Sequence, residues 1–304
     1  MKVAVMGAGA VGCYFGAMLA RHGHDVVLIG RPQHVEAIRN NGGVKLDSKV
    51  FTGVIPIGAA TEPAGVQGAD VVLFCVKSGD TESAGRSMAP FLKDSATILS
   101  LQNGVDNPDR LQPLLRQSVV PAAVYVATEM GGPGHVIHHG RGDLVIGASA
   151  ASESIAAQLS AAAIPTKVSD RVIDQLWAKL VINCAYNALS AVAQLPYGRL
   201  FDVNSVREVM RNVVEECAAI ADALGVALPN DMYASVVALV SAMPSQYSST
   251  AQDVARRRPS EIDFLNGYVV RKGTELNIPT PVNLTLHSMV KLKELTQAKG
   301  EGRA

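Results

Sequence analysis

The chain predicts an α/β domain built on a parallel sheet, followed by an all-α domain. Three observations carry that prediction. A short apolar strand at Val3–Met6 runs straight into Gly7-Ala8-Gly9-Ala10-Val11-Gly12 and then a helical pattern to His22. Further short apolar strands are expected at Asp25–Ile29, Asp70–Val76, Thr97–Leu101, Val119–Ala127 and Val136–Ile146. From Ser169 the pattern changes to long helical periodicity, with helices expected at Arg171–Val192, Val203–Leu224, Asp231–Ala242, Ser260–Leu276 and Pro281–Gln297. The expected boundary puts residues 1–168 in the first domain and 169–304 in the second, abutting across a cleft because no Gly- or Ser-rich linker lies near Val168. The tail after Lys299 is expected to be frayed.

The N-terminal strand, glycine loop and helix form G-x-G-x-x-G in the context that makes the pattern informative, with a second strand following at Asp25–Ile29. Gly7 allows the tight turn, Gly9 lets the backbone approach a pyrophosphate, and Gly12 lets helix and strand pack closely. The free N–H groups around Ala10 and Val11, at the start of the helix, favour an anion there. A dinucleotide site of Rossmann type follows. At the end of the second strand, where NAD-specific sites usually carry Asp or Glu, the chain has Gly30-Arg31. An arginine there suits a 2′-phosphate held bidentately, so NADPH is expected rather than NADH. The competing reading is a surface arginine that opens the next helix at Pro32.

Lys77 and Asn103 follow the strands that end near Val76 and Leu101, and ligands of a parallel sheet bind beyond those carboxyl ends. Both are therefore candidate cofactor contacts, although Asn103-Gly104 is also an ordinary turn pair. Pro121 is expected at an edge or near the start of its strand. His135, His138 and His139 lack the carboxylates or cysteines of a usual metal centre, and His138 and His139 point to opposite faces of a strand, so no metal site is expected.

The 304 residues suffice for two buried cores, and 48% hydrophobic with 18% charged residues fits a globular chain. Lysine plus arginine equals aspartate plus glutamate at 27 each, so no global basic field attracts nucleic acid or an anionic membrane. Four dispersed cysteines with apolar neighbours read as reduced core thiols. No charged leader precedes the first strand and no uninterrupted apolar run reaches about 18 residues, so a soluble cytoplasmic protein is expected. Val203–Leu224 and Asp231–Ala242 are apolar enough to include a homodimer surface, although core helices look the same.

Lys179, Asn183 and Asn187 recur every four residues in an otherwise apolar helical stretch. Each step advances by about 40°, so an ammonium and two amides share one narrow face. Burying such groups without partners is costly, so that face is expected to line a polar cleft; the alternative is an interdomain hydrogen-bond seam. Two polar clusters are expected opposite it: Tyr247-Ser248-Ser249-Thr250, and Ser260-Glu261 at the start of the next expected helix. There Glu261 would benefit from the helix dipole, with or without a catalytic role.

Together these residues resemble the ketopantoate reductase family. The matching elements, in order, are GAGAVG at Gly7–Gly12, Arg31, VKS at Val76–Ser78, QNG at Gln102–Gly104, KLVINCAYN at Lys179–Asn187, SSTAQD at Ser248–Asp253 and EIDFLNG at Glu261–Gly267. The resemblance implies a Rossmann-type domain joined to a helical one, with NADPH and a 2-oxo acid as ligands. It implies that Arg31 and Lys77 bind the adenosine 2′-phosphate and that Asn103 contacts the cofactor near the nicotinamide. It makes Lys179 the general acid and places Asn183, Asn187, Ser249 and Glu261 at the substrate. One position departs: Tyr197 stands where family members carry a pocket asparagine, which bears on the acceptor more than on the reaction.

The chemistry agrees with the resemblance. Hydride attack on a ketone carbon develops negative charge on the oxygen, and a positioned ammonium both stabilises that charge and delivers the proton. Lys179 and Glu261 are thus the candidate catalytic residues, with Glu261 favouring the charged lysine. Asn183 and Asn187 offer N–H donors, and the resemblance adds Tyr197 and Ser249 to the candidate substrate contacts. The alternatives are a reductase of a different 2-oxo acid and a non-catalytic NADP(H)-binding sensor.

Overall fold

The computed structural model describes residues 1–298, so the expected fraying after Lys299 lies outside the described residues. Two compact units divide the chain, Met1–Ile173 and Asp174–Ala304.

In the first unit β1 (Lys2–Met6), α1 (Ala10–Arg21), β2 (Asp25–Ile29), α2 (Pro32–Asn40), β3 (Val44–Asp47), β4 (Thr52–Ile55) and β5 (Gly58–Ala60) come first. They are followed by β6 (Val71–Phe74), α3 (Thr81–Met88), β7 (Thr97–Ser100), α4 (Asn107–Leu111), β8 (Ser118–Gly132), β9 (His135–Gly147), α5 (Ser152–Ala161) and β10 (Thr166–Ser169). Parallel pairing orders six of the strands β5-β2-β1-β6-β7-β8. Numbered along the chain that order is 3-2-1-4-5-6, the doubly wound arrangement, and it reverses between β1 and β6.

Alternate residues of β1 feed two cores, as the pleat requires. Val3 and Val5 pack with Phe15 and Leu19 of α1, while Ala4 and Met6 pack with Val66, Met88 and Leu111. Sheet strands covered on both faces read as unbroken apolar runs, which is why β1, β2, β6 and β7 fall where the sequence places them.

β8 leaves β7 after Pro121 and continues as one half of a long antiparallel pair with β9. Pro121 stands at that handover, near the strand start, where its missing N–H is tolerated. β9 also pairs with β3 and β10, and β4 closes that edge, so the sheet is mixed. The sequence reading omits β3, β4, β5 and β10, because three or four residues do not sustain a visible period.

The histidines of β9 have local partners. The ring of His135 bonds to Asp47, that of His138 to the main-chain oxygen of Arg141 and that of His139 to Glu129, and His138 also stacks on Tyr14. All four cysteines are free thiols, and burial pushes Cys13 up to about 12.

The second unit is helical: α6 (Val172–Ala193), whose first two residues belong to the first unit, then α7 (Tyr197–Leu200), α8 (Asn204–Ala223), α9 (Met232–Ala242), α10 (Ser249–Ala255), α11 (Asn266–Leu276) and α12 (Pro281–Ala298). By length and composition α6 is apolar enough to cross a membrane, but Trp177, Leu180, Val181, Cys184 and Tyr186 are buried inside the protein. Glu216 of α8 accepts from the amides of Val282 and Asn283, satisfying first-turn donors of α12 after Pro281.

One expected helix is corrected. Ser260–Leu276 is not continuous: Ile262–Phe264 forms a 3₁₀ turn, Leu265 breaks with φ −112° and ψ −104°, and the α-helix begins at Asn266. The guanidinium of Arg271 donates to the Asp263 main-chain oxygen at 2.7 Å, so that acceptor has a side-chain partner across the break. Glu261 accordingly precedes a 3₁₀ turn and does not lie in the first turn of an α-helix.

Candidate active site

In the first unit, candidate residues gather at the carboxyl ends of β1, β2, β6 and β7. Gly7 has φ +111°, and a Cβ there would lie 2.7 Å from the main chain of Cys75, so only glycine lets the β1 turn press against the end of β6. A Cβ on Gly12 would meet the Gly7 oxygen at 2.1 Å, which shows how tightly α1 sits on its strand. Gly9 is exposed and a Cβ on it would meet nothing within 4 Å. It N-caps α1 without a side-chain bond, and the first turn, with Ala10 and Val11, holds no acidic residue. A glycine edge leading to a positive helix terminus fits the pyrophosphate of a dinucleotide.

Arg31 lies beside this loop. The amides of Gly7 and Ala8 both bond to the Ile29 oxygen, so the end of β2 and the glycine loop move as one piece. Arg31 is exposed in extended conformation at the N-cap of α2, ahead of Pro32 at the first helical position. The arginine thus opens the helix and presents its side chain to the surface.

Lys77 and Asn103 stand on neighbouring loops that a buried polar network joins. Asn107 donates to the Asn103 oxygen at 2.6 Å and to Ser78 Oγ at 3.2 Å, and accepts from Thr81 Oγ1 at 2.9 Å. Gln102 donates to Thr81 and to the Val76 oxygen, while Arg110 reaches the Ser78 oxygen and pairs with Glu82 through two bonds. That guanidinium holds the Glu82 carboxyl below its ordinary value. Asn107, Ser78, Thr81 and Gln102 are all buried, so the network fixes the backbone at Lys77 and Asn103 while Lys77 itself stays exposed.

In the second unit, Lys179, Asn183 and Asn187 lie on one uninterrupted helix, α6. Lys179 and Asn183 are part-buried and Asn187 is buried. Two segments are bonded to this helix around its amides. Ser248 donates to the Asn187 oxygen at 3.2 Å and accepts from the Ala251 amide at 3.0 Å, so it caps α10 and ties that helix to α6. Ser249, the next residue, is exposed on the first turn of α10. Asn266 donates to the Cys184 oxygen at 3.1 Å, between Asn183 and Asn187.

Glu261, five residues before Asn266, is 8% exposed. Its flanks are pinned from α12: Ser260 bonds through its amide and hydroxyl to Glu294, and Asp263 bonds to His287 at 2.6 Å and Lys291 at 2.8 Å. These two partners outweigh burial and hold the Asp263 carboxyl down at about 2.

Tyr197 packs its ring on Tyr186 of α6, centroids 4.5 Å apart, and is only 8% exposed. Its amide donates to the Gln246 oxygen and that of Gly198 to the Pro244 oxygen, so α7 is laced to the strap leading into Ser248. Burial pushes the Tyr197 phenol far above its ordinary value.

The family model for ketopantoate reductase PanE/ApbA matches residues 3–151, and its C-terminal companion matches residues 171–294. The chain belongs to the ketopantoate reductase family. A family structure from Ralstonia eutropha is 56% identical, covers 98% of this chain and 100% of its own, and superposes with a TM-score of 0.96. A 2-dehydropantoate 2-reductase of Halobacterium salinarum is 32% identical, over 97% of this chain and 99% of its own. A D-mandelate dehydrogenase solved with NADH is 25% identical, with a TM-score of 0.87 over 98% of this chain and 100% of its own.

Within this family fold, sequence reasoning misses the residues that hold the candidate ones in place. Gln102 and Asn107 look like ordinary loop polars after a strand, and only their burial reveals the network. Asn266 and Asn283 carry the same signal as the α6 stripe, an amide inside an apolar stretch, and that signal was readable.

Proposed function

We propose that this protein reduces 2-dehydropantoate to (R)-pantoate with NADPH, in the synthesis of pantothenate. One observation carries the reading: α6 presents an ammonium and two amides in register, with a capped serine segment and a buried carboxylate segment bonded to its neighbourhood. Bound NADPH supplies the hydride that reaches the ketone carbon. Gly7, Gly9, Ala10, Val11 and Gly12 would hold its pyrophosphate, Arg31 and Lys77 its 2′-phosphate, and Asn103 its nicotinamide end.

Lys179 places positive charge where the carbonyl oxygen becomes negative and donates the proton to that oxygen. Glu261 keeps the ammonium charged and oriented. Asn183, Asn187 and Ser249 donate hydrogen bonds that fix the 2-oxo acid. A soluble, cytoplasmic setting accords with this reading.

Tyr197 favours a second reading, a different 2-oxo acid under the same chemistry. An aromatic ring packed on Tyr186 offers an apolar wall where an asparagine would offer an amide.

The test is NADPH oxidation by purified protein with 2-dehydropantoate and a panel of other 2-oxo acids, beside Lys179→Ala. Turnover with 2-dehydropantoate that falls about 10²–10⁴-fold in the variant, with NADPH affinity kept, supports the reading. Preference for another acid transfers the reaction to that acid. Tight NADPH binding without turnover of any acid overturns the reductase in favour of a cofactor sensor.

A further inference from the structure

We infer that Asn266 is a positioning residue for the proposed reaction: it sets the height of the Glu261 segment on the helix of Lys179, Asn183 and Asn187, and Glu216 fixes its orientation through Asn283. The inference rests on the function proposed above.

Asn266 is wholly buried at the start of α11. Its Nδ2 donates both to the Cys184 oxygen at 3.1 Å and to Asn283 Oδ1 at 2.9 Å. Asn283, also wholly buried, donates its own Nδ2 to Glu216 Oε2 at 2.8 Å. Glu216 takes the amides of Val282 and Asn283 as well, at 2.8 and 2.9 Å.

The direction of this chain is forced. A carboxylate only accepts, so Asn283 must turn its NH₂ toward Glu216. Its oxygen then faces Asn266, which must answer with NH₂, and the second hydrogen of that NH₂ goes to Cys184. A charge on α8 thereby decides which end of a side-chain amide meets the backbone of α6.

The fold accepts a cost to keep this orientation. Asn266 Oδ1 is buried and has no hydrogen-bond partner. Turning the amide over would not relieve it, because the oxygen would then face those of Cys184 and Asn283. A buried amide held half-satisfied marks a place where geometry is worth more than satisfaction. Here that geometry is the seating of α11, and of Glu261 just before it, against the turn of α6 between Asn183 and Asn187. The sole tryptophan of the chain, Trp177 on α6, meets Tyr268 of α11 edge-on at 5.9 Å and reports on the same seam.

The titratable groups around the chain of amides are Glu216 and Cys217 on α8, Cys184 on α6, and His287 on α12, whose ring lies 3.0 Å from where a Gly267 Cβ would stand. None is replaced in Asn266→Asp, so a new pH dependence in that variant belongs to the new carboxyl. On ionising, it sets a negative charge against the oxygens of Cys184 and Asn283.

The experiment compares the wild type, Asn266→Asp and Glu216→Gln from about pH 5 to 9, reading kcat/KM for the 2-oxo acid, the Kd of NADPH and Trp177 emission. In Asn266→Asp, kcat/KM is expected to fall at least about tenfold as pH rises, with Trp177 emission shifting over the same range and the Kd staying within about twofold. Glu216→Gln lets Asn283, and then Asn266, turn over, so it is expected to lose kcat/KM and shift the emission without a new pH step. Wild-type profiles and kcat/KM within about twofold in both variants would overturn the inference. Should Asn266→Asp not fold, Glu216→Gln decides alone. A wild type that reduces no 2-oxo acid ends the functional reading and the positioning role with it, while a pH-dependent Trp177 signal would still establish the α6–α11 tie.

Discussion

The hydroxyl of Ser248 donates to the main-chain oxygen of Asn187 at 3.2 Å, and this bond fixes the start of α10 to the helix of Lys179. The Ser248 hydroxyl oxygen in turn accepts the Ala251 amide at 3.0 Å, so one buried side chain both caps a helix and docks it. Ser248→Ala removes both bonds. It is expected to cost ~1–2 kcal/mol in urea unfolding and, if Ser249 contacts the substrate as proposed, to raise KM for the 2-oxo acid more than it lowers kcat, because Ser249 loses its anchorage. Unchanged stability together with unchanged KM would rule out the docking role.

Arg31 stands exposed at the N-cap of α2, beside a loop bonded to the end of β2. If it grips the 2′-phosphate, Arg31→Ala weakens NADPH while leaving NADH as it was. Losing charge-assisted bonds of ~1.5–3 kcal/mol corresponds to roughly ten- to a hundredfold in Kd. Calorimetric titration with both cofactors checks this. An equal loss for NADPH and NADH would mean that Arg31 serves α2 and not the phosphate.

Asn107 joins the two loops that carry Lys77 and Asn103. Asn107→Ala removes the 2.6 Å donor to the Asn103 oxygen and one acceptor of Thr81 Oγ1, leaving Ser78 as the partner that still joins both, at a cost of ~0.5–1.5 kcal/mol. If Lys77 and Asn103 hold the cofactor as proposed, NADPH affinity is expected to fall with stability, since both loops loosen. A chemical denaturation curve paired with a cofactor titration separates the outcomes. Lower stability with intact affinity would show that the loops hold their places without this residue.

The fold was legible where burial writes a continuous pattern. β1, β6 and β7 are covered on both faces and read as apolar runs, while β3, β5 and β10 are too short to show any period. Lys179, Asn183 and Asn187 stood out because a polar stripe contrasts with the apolar rest of α6. The break at Leu265 did not stand out, because Ser260-Glu261 imitates a helix start and the interruption depends on Asp263, His287 and Arg271 meeting in space. Glu216 escaped for a similar reason: its amide partners Val282 and Asn283 lie 66 and 67 residues away, and no local spacing foretells such a cap.

Asp263 gives the acid limb of stability a defined sign. His287 and Lys291 hold its carboxyl at about 2 in the folded protein, against 3.8 for the ordinary group. A depressed folded value means that the stabilisation is full above about pH 4 and is lost as pH falls toward 2. Because the side chain is 40% exposed, solvent screens the pair, and the effect on melting temperature is expected to be modest. Asp263→Asn removes that contribution, so wild type and variant should differ at neutral pH and converge as pH drops through that window. Thermal melts at half-unit steps of about pH 2 to 6 make the comparison. Curves that stay parallel to the lowest pH would show that the carboxylate does not couple folding to protons, and that His287 and Lys291 hold the Glu261 segment by hydrogen bonding alone.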